Sequence, residues 1–273
     1  LVLLELMKAL GLEAFVYLPD RLTEGRSMTD GALAFAEEKK VKLVITVDTG
    51  IREVDGVKAL KDKGIDTIVT DHHLFPPILP DAVAVVDPRR PGDEYDFDGL
   101  CGAAVAFVLA QAVAKSKIGE GLDEEWLLSL LDVVAIATIA DVVPLTGPNR
   151  ILLKLGIESL RKTKRAGLKA LIEISKVNAS EIDEHIIGFE ISPRVNAISR
   201  VEHSSTAFSL FVSEDEEDAL KLAKEMDKMN RRRQREVNTI AKDALAKLEG
   251  KEVGNVVIGF GGEVVSNYAW DCD

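Results

Sequence analysis

Two short apolar runs, each closed by an aspartate, constrain this chain more than anything else in it. Lys42–Val47 runs into Asp48-Thr49-Gly50, and Ile65–Thr70 runs into Asp71-His72-His73. The second run is apolar or β-branched except at Asp66, with Gly64 before it and Pro76-Pro77 soon after. Each reads as a buried strand that delivers polar side chains into the loop at its carboxyl end. Helical patterns lie between them: 1–10 leads to a strand at 14–18 ended by Pro19, 30–40 to the strand at 42–47, and 53–63 to the strand at 65–70. Ala82–Val86 supplies one more strand. Such alternation predicts an α/β fold, a parallel sheet with helices on both faces, in which ligands bind outside the carboxyl ends of the strands.

Beyond Asp93 the pattern turns helical, at 100–117, 123–140, 149–162 and 166–175. A polar helix is predicted from Ser213, which forms a capping box with Glu216, to about Leu248. Leu222, Met226, Met229, Val237, Ile240, Ala244 and Leu248 carry its apolar stripe. At 1.5 Å per residue it would span about 50 Å, the length of a connector between domains. Gly250 ends it, and Asn255–Phe260 reads as the first strand of a second domain, whereas Gly261–Asp273 matches no element.

A hydrophobic content of 47% is ample for a sizeable core. No apolar run reaches the roughly 18 residues that a membrane span needs. Leu1–Met7 lacks the basic flank and cleavage site of a signal peptide. The two cysteines, Cys101 and Cys272, have no CxxC spacing. Thiolate zinc sites and a disulfide scaffold are thereby disfavoured, and a reducing cytoplasm is the default. A net charge of −12 disfavours coating nucleic acid by bulk electrostatics, while leaving room for a local groove with bound metal ions.

Each motif has a plain reading beside a functional one. Asp71-His72-His73 is either a strand-end loop with surface histidines or part of a site, and its place at a strand end favours the site. Asp48-Thr49-Gly50 also occurs in aspartic proteases, but the parallel βα context speaks against that, and helix capping is the stronger rival. Asp141 follows the apolar stretch Leu130–Ala140 and precedes Val142-Val143-Pro144. A carboxylate emerging from a buried segment needs a partner, either a metal or an arginine. Aspartates and histidines gathered at strand ends suit hard divalent cations, Mn²⁺ above all. Ile191–Arg200 reads as a polar, turn-forming loop whose Arg194 and Arg200 either pair on the surface or cradle phosphate. Arg231, Arg232, Arg233 and Arg235 make a solvated helix face, and Cys101 a small core residue. His185 and His203 stay unassigned.

Taken in order, Val47–Ile51, Thr70–His73, Asp87–Pro91, Ala140–Leu145, Asn149-Arg150 and Pro193–Arg200 give the chain its family likeness. It resembles the DHH phosphoesterase superfamily, and within it the RecJ-type single-strand exonucleases, over roughly residues 1 to 250. The resemblance implies a catalytic DHH domain over 1–205, a long connector helix over 206–250 and the start of a second domain over 251–273. It implies metal-dependent phosphodiester hydrolysis, 5′-to-3′ on single-stranded DNA in repair and recombination. The cofactor would be manganese in a two-metal site, with magnesium as the alternative. By position Asp48 would bridge the metals, His72 and Asp141 would complete the second site, and His73 would touch the scissile phosphate. Asp71 would orient the histidine loop, and Arg194, Asn196 and Arg200 would meet the nucleic-acid backbone. Single-stranded DNA is the implied partner, with a single-strand binding protein or helicase beside it.

The family's aspartate-rich first motif should precede Leu1, its Asn-Ala-Ala-Gly-Arg run reads Asn196–Arg200 here, and the glycine-rich motifs of the second domain do not appear. The chain therefore reads as a fragment truncated at both ends and inactive alone. A superfamily member cleaving oligonucleotides, nucleoside bisphosphate or pyrophosphate is the alternative enzyme. A catalytically inactive replication scaffold is the alternative of another class.

Overall fold

The computed structural model describes residues 1–19, 30–92, 94–201 and 205–248, with backbone alone for 198–201, 247 and 248. Helices α1 (Val2–Ala9) and α2 (Asp30–Glu38) precede strand β1 (Leu43–Val47), helix α3 (Val54–Asp62) and strands β2 (Asp66–Thr70) and β3 (Ala84–Val86). Helices α4 (Gly102–Ala114), α5 (Glu124–Ala140), α6 (Gly147–Arg161) and α7 (Ala166–Ser175) follow. A short α8 (Glu184–Ile186) continues as a π-helix (Ile187–Ile191) into α9 (Ser192–Val201), and α10 (Ser205–Val212) and α11 (Glu216–Leu248) complete the described chain.

The three strands pair in parallel in the order β1-β2-β3. Their side chains alternate between two apolar layers, as strand periodicity requires. Val69 and Val85 pack with Val57 of α3, and Val44 with Ala36 of α2 and Leu60 of α3. On the other face Ile45 and Val86 meet α1, α4 and α5 through Leu3, Leu6, Ala104 and Leu130. Helix α5 is apolar nearly all round because it is wedged between this layer and a second core built by α6, α7, the π-helix and α11. Asp132 on α5 is buried with Arg165 (3.2 Å) and Thr163 (2.8 Å), and Arg165 also reaches Glu5 of α1 at 3.3 Å. Burial raises the Asp132 carboxyl above the usual range even with Arg165 beside it. No helix among the described residues is long and apolar enough to cross a membrane.

Three expectations need correction. Residues 14–18 form no strand: Phe15, Val16 and Leu18 are exposed, and Tyr17 rests on Phe35 of α2 at 5.2 Å. β-propensity describes fit to neighbouring strands, and no described strand lies beside this segment. The predicted loop at 191–200 is helical, because the π-helix runs directly into α9, with Pro193, which has no amide to donate, just past the π-helical turn. The long helix is capped not by Ser213 but by Asp215, whose Oδ1 accepts from the Asp218 amide at 2.8 Å. A carboxylate at a helix N-terminus satisfies an orphan amide and the dipole together. The predicted connector is thus two helices, α10 and a 33-residue α11 about 50 Å long. Ala219, Ala223 and Met226 bury its first half, while Val237, Ile240 and Leu245 stand exposed. The strand predicted at 255–260, the segment 261–273 and His203 lie outside the described residues.

The α5–α6 pair depends on Gly156, where a Cβ would lie 2.5 Å from the Leu131 carbonyl oxygen and 2.7 Å from Ala135 Cβ. Gly156→Leu should therefore destabilise the chain by about 1–3 kcal/mol through overpacking. Urea unfolding would read this as a lower midpoint, and an unchanged midpoint would show that the helices part freely.

Candidate metal centre

Register places the polar groups before any side chain is considered. Val47 lies opposite Thr70, and Thr70 opposite Val86. The next residue of each strand is an aspartate, so Asp48, Asp71 and Asp87 stand in a row at the carboxyl edge of the sheet. The Asp48 amide donates to the Thr70 carbonyl and the Asp71 amide to the Val86 carbonyl, both at 3.0 Å, which carries the ladder one residue past the strands.

The middle aspartate is fully engaged. Asp71 Oδ2 accepts from the Ile51 amide (2.9 Å), and Oδ1 accepts from the amides of His72 (2.8 Å) and His73 (3.3 Å). Oδ1 also lies 2.7 Å from His73 Nδ1. Burial pushes this carboxyl up, but donors from Ile51, His73 and His72 outweigh it and hold the group below the usual carboxylate range. Because Asp71 is ionised and only accepts, His73 Nδ1 donates to it.

Asp48 is different. Its φ of 60° is left-handed, a conformation that aspartate tolerates better than most residues, and its carboxylate stands open. The following Gly50 has φ 109°, and a Cβ there would collide with the Thr46 side chain. Gly102, the first residue of α4, packs against the carboxylate itself: a Cβ there would come within 2.7 Å of Asp48 Oδ1, Cβ and Cγ.

His72 is buried, with Nε2 3.0 Å from Asp48 Oδ1 and 3.6 Å from Asp141 Oδ2. Asp48 is within proton-sharing reach, yet the angle forms no proper hydrogen bond, and both ring nitrogens are buried without one. The carboxylate of Asp48 nevertheless lifts the imidazole above the usual histidine range, against the opposing effect of burial, with Asp141 and Asp71 adding to it.

Asp141 is the C-cap of α5, facing the negative end of a 17-residue helix. A carboxylate is electrostatically misplaced there. Burial raises its carboxyl, His72 lowers it, and Asp48 raises it further. Asp87 is buried as well: its Oδ1 accepts from the Arg89 amide at 2.8 Å, while Oδ2 has no partner. Its carboxyl is raised by burial, eased by the Arg89 amide and raised again by Asp71.

The structure thus brings Asp48, His72, His73 and Asp141 to one corner. Asp48, His72 and His73 each offer a ligand atom, all within 4.8 Å of one another. Carboxylate oxygens and imidazole nitrogens are the donor set of a divalent cation such as Mn²⁺, and a buried Nε2 facing two carboxylates without a hydrogen bond fits one. Arg194 and Asn196 lie on α9, as does the backbone of Arg200. The Arg194 guanidinium pairs with Asp227 of α11 at 3.0 Å and donates to the Glu190 carbonyl. Asn196 is half-buried, and the Arg200 side chain is outside the described residues.

Sequence reasoning passed over Gly102 and gave Asn149 no role. Asn149 is buried and its Nδ2 donates to the carbonyls of Gly99 (2.6 Å) and Pro144 (2.9 Å), tying the approach to α4 to the segment that leaves Asp141. Only the match of Asn149-Arg150 to the family pattern marked that residue, and nothing marked Gly102.

Residues 1–138 match the DHH family, N-terminal domain. The chain is 40% identical over 270 residues to the single-stranded-DNA-specific exonuclease RecJ of Bacillus subtilis (strain 168), covering 99% of this chain and 33% of that protein. It is 35% identical over 235 residues to the protein of that name from Escherichia coli (strain K12), covering 83% of this chain and 41% of the relative. It therefore spans less than half the length of these relatives. A crystal structure of exonuclease RecJ bound to manganese superposes with a TM-score of 0.79 at 31% identity, over 90% of this chain and 61% of that one. The structure of RecJ in complex with Mn²⁺ from Thermus thermophilus gives 0.76 at 29% identity, over 91% and 35%. With a family match across half its residues and these superpositions over most of the rest, the chain belongs to the DHH family, in its RecJ branch.

Proposed function

We propose that this chain carries the metal-binding core of a phosphodiesterase that degrades single-stranded DNA from a 5′ end. One observation carries the reading: Asp48, His72 and His73 converge within 4.8 Å, and Asp141 lies 3.6 Å from the buried His72 Nε2. Manganese is the preferred ion and magnesium the alternative, in keeping with the ions named in the RecJ structures. Residues 1–205 form the catalytic domain in this reading, 206–250 the connector and 251–273 the start of a second domain. Single-stranded DNA is the partner, with a single-strand binding protein or helicase beside it, and the cytoplasm the compartment.

Asp48, His72 and Asp141 would hold the ion. When bound, such an ion polarises a phosphoryl oxygen and makes a water a better nucleophile at neutral pH. The chain's own residues do the rest. Asp71 holds the His73 ring through Nδ1, and Nε2, when it carries a proton, would donate to a phosphate oxygen. Asp71 is a positioning residue, since its oxygens are taken by Ile51, His72 and His73. Asn196 and Arg200 on α9 are the proposed contacts to the DNA backbone. Arg194 is assigned the same face, although its ion pair with Asp227 gives it a structural task there. Among the described residues these groups furnish part of one cation's site and leave a second cation with Asp48 alone, so little turnover is expected of this chain by itself.

Asp48→Ala should abolish Mn²⁺-dependent hydrolysis by the protein that carries this chain, without lowering its melting temperature in chelator. More than about a tenth of the wild-type rate would contradict the assignment, because losing such a ligand costs several kcal/mol of transition-state stabilisation.

Gly102→Ala changes no ligand but displaces the Asp48 carboxylate. Mn²⁺ affinity should fall about 10- to 100-fold by calorimetric titration, the range seen when a ligand loses its support. Unchanged affinity would mean that Asp48 can swing aside and still bind.

Because the His72 value is raised, the stability it gains from Asp48 is fully present below the ordinary histidine value of about 6.5. That stability is lost as pH rises through the raised folded value. Cation and proton compete for the same nitrogen. Mn²⁺ uptake near neutrality should release on the order of one proton, and affinity should fall as pH drops. Titration in buffers of different ionisation heat would measure the release, and none at all would remove His72 from the ligand set.

A further inference from the structure

His185 and Phe189 have no task in the site just described, yet the turn that carries them packs through Gly188 on Ile139, two residues before Asp141. Their rings stack across the junction of α8 and the π-helix, with centroids 4.6 Å apart and planes 29° apart. Phe189 is 66% exposed, more than any other aromatic side chain among the described residues that is counted as exposed. A π-helical turn inside an α-helix is rare and frequently found at functional sites. Here the turn seats Gly188 against α5, where a Cβ would lie 3.3 Å from Ile139 Cγ2. The Ile139 carbonyl in turn accepts from the Val142 amide at 3.2 Å, directly behind Asp141. Val142 is held at φ 56°, a strained conformation for a β-branched residue, and is 86% exposed. Strain of this kind clusters at ligand sites. The turn that carries the stack thus packs on the last turn of α5, which leads into a proposed metal ligand and the exposed, strained Val142.

The nature of the occupant follows from the surroundings. Asp183 and Glu184 beside the stack are exposed and acidic, so this is one flat aromatic face within polar surface rather than the broad apolar field that a protein partner needs. A net charge of −12 also denies the chain bulk attraction for a polyanion. Neutral stacking is then a way to hold a strand beside the cation, and every base offers a π face to it. We propose that Phe189, backed by His185, is a stacking platform for one nucleobase of the single strand whose phosphate lies at the metal centre. The proposal rests on the phosphodiesterase reading above and adds to it where a base sits.

The test uses this chain with Ca²⁺ in place of Mn²⁺, so that strands bind without being cut. The ligands are short 5′-phosphorylated single strands carrying 2-aminopurine at successive positions. Wild-type chain should quench the fluorescence at one position near the 5′ end. Phe189→Ala should remove that quenching and weaken binding about ten-fold, within the range measured for loss of one base–aromatic stack. Phe189→Trp should restore both. A strand abasic at that position should bind wild type and Phe189→Ala alike. Phe189 is exposed, so the alanine variant should melt with wild type. Quenching at no position by wild type would overturn the platform, as would quenching and affinity unchanged in Phe189→Ala, or equal loss on the abasic strand. A parallel assay for Mn²⁺-dependent cleavage keeps the two readings apart. Quenching without cleavage by the protein that carries this chain would count against the hydrolytic reading alone, and cleavage without dependence on Phe189 against the platform alone.

Discussion

Asp71 does for this site what no metal ligand does for itself. Its two oxygens gather the Ile51 amide from the loop after β1 and the amides and ring of the histidine pair after β2. Hydrogen bonds to a charged group contribute about 1.5–3 kcal/mol each, and leaving such buried donors unpaired is costlier still. Two loops from neighbouring strands are therefore one rigid body, and Asp48 and His72 keep their separation because both loops hang on the same carboxylate. That Asp71 is 1% exposed and still ionised is a consequence, since its donors outweigh burial.

The division of labour along the sheet edge follows from the parallel ladder. Three aspartates occupy equivalent positions, but their environments differ. Asp48 follows β1, one of the two outer strands of the described sheet, and faces α4 across a missing Cβ, which leaves room for its carboxylate. Asp71, between two strands, is consumed by backbone donors. Asp87 is buried with only the Arg89 amide for one of its oxygens. The same residue type at the same register thus yields an open carboxylate, an organiser and a buried carboxyl raised above the usual range, with burial and donor count making the difference.

Much of this was legible in the residues themselves. β1, β2 and α3 to α7 fall close to where their apolar periods, glycines and prolines put them, because local pattern and tertiary packing agree there. Asp48, His72, His73 and Asp141 were visible as polar groups ending apolar runs. Residues 14–18 misled because a strand is defined by neighbours that a linear reading cannot supply. The 191–200 segment misled because Ser192, Pro193 and Asn196 suggest a turn, whereas the preceding π-helix and the Arg194–Asp227 pair hold it helical. Gly102 went unmarked and Asn149 without a role because their work is done across long sequence separations, Asn149 reaching Gly99 fifty residues away.

The centre is costly for the fold that carries it. Asp48 and Val142 occupy left-handed backbone, Asp141 meets the wrong end of a helix dipole, and several carboxylates crowd one buried imidazole. Backbone strain of this sort costs about 1–3 kcal/mol per residue and persists only where surrounding packing over-determines it. Here that packing is the α5–α6 pair, closed at Gly156, and the buried Asp132–Arg165 network that ties α5 to α1 and the start of α7. A cation would relieve the repulsion between Asp48 and Asp141 and give His72 Nε2 a partner, so its binding energy would also be folding energy. Rigid helices behind the sheet edge and unrelieved charge in front of it are two sides of one arrangement: the first makes the second tolerable, and the second makes the corner selective for a positive ion.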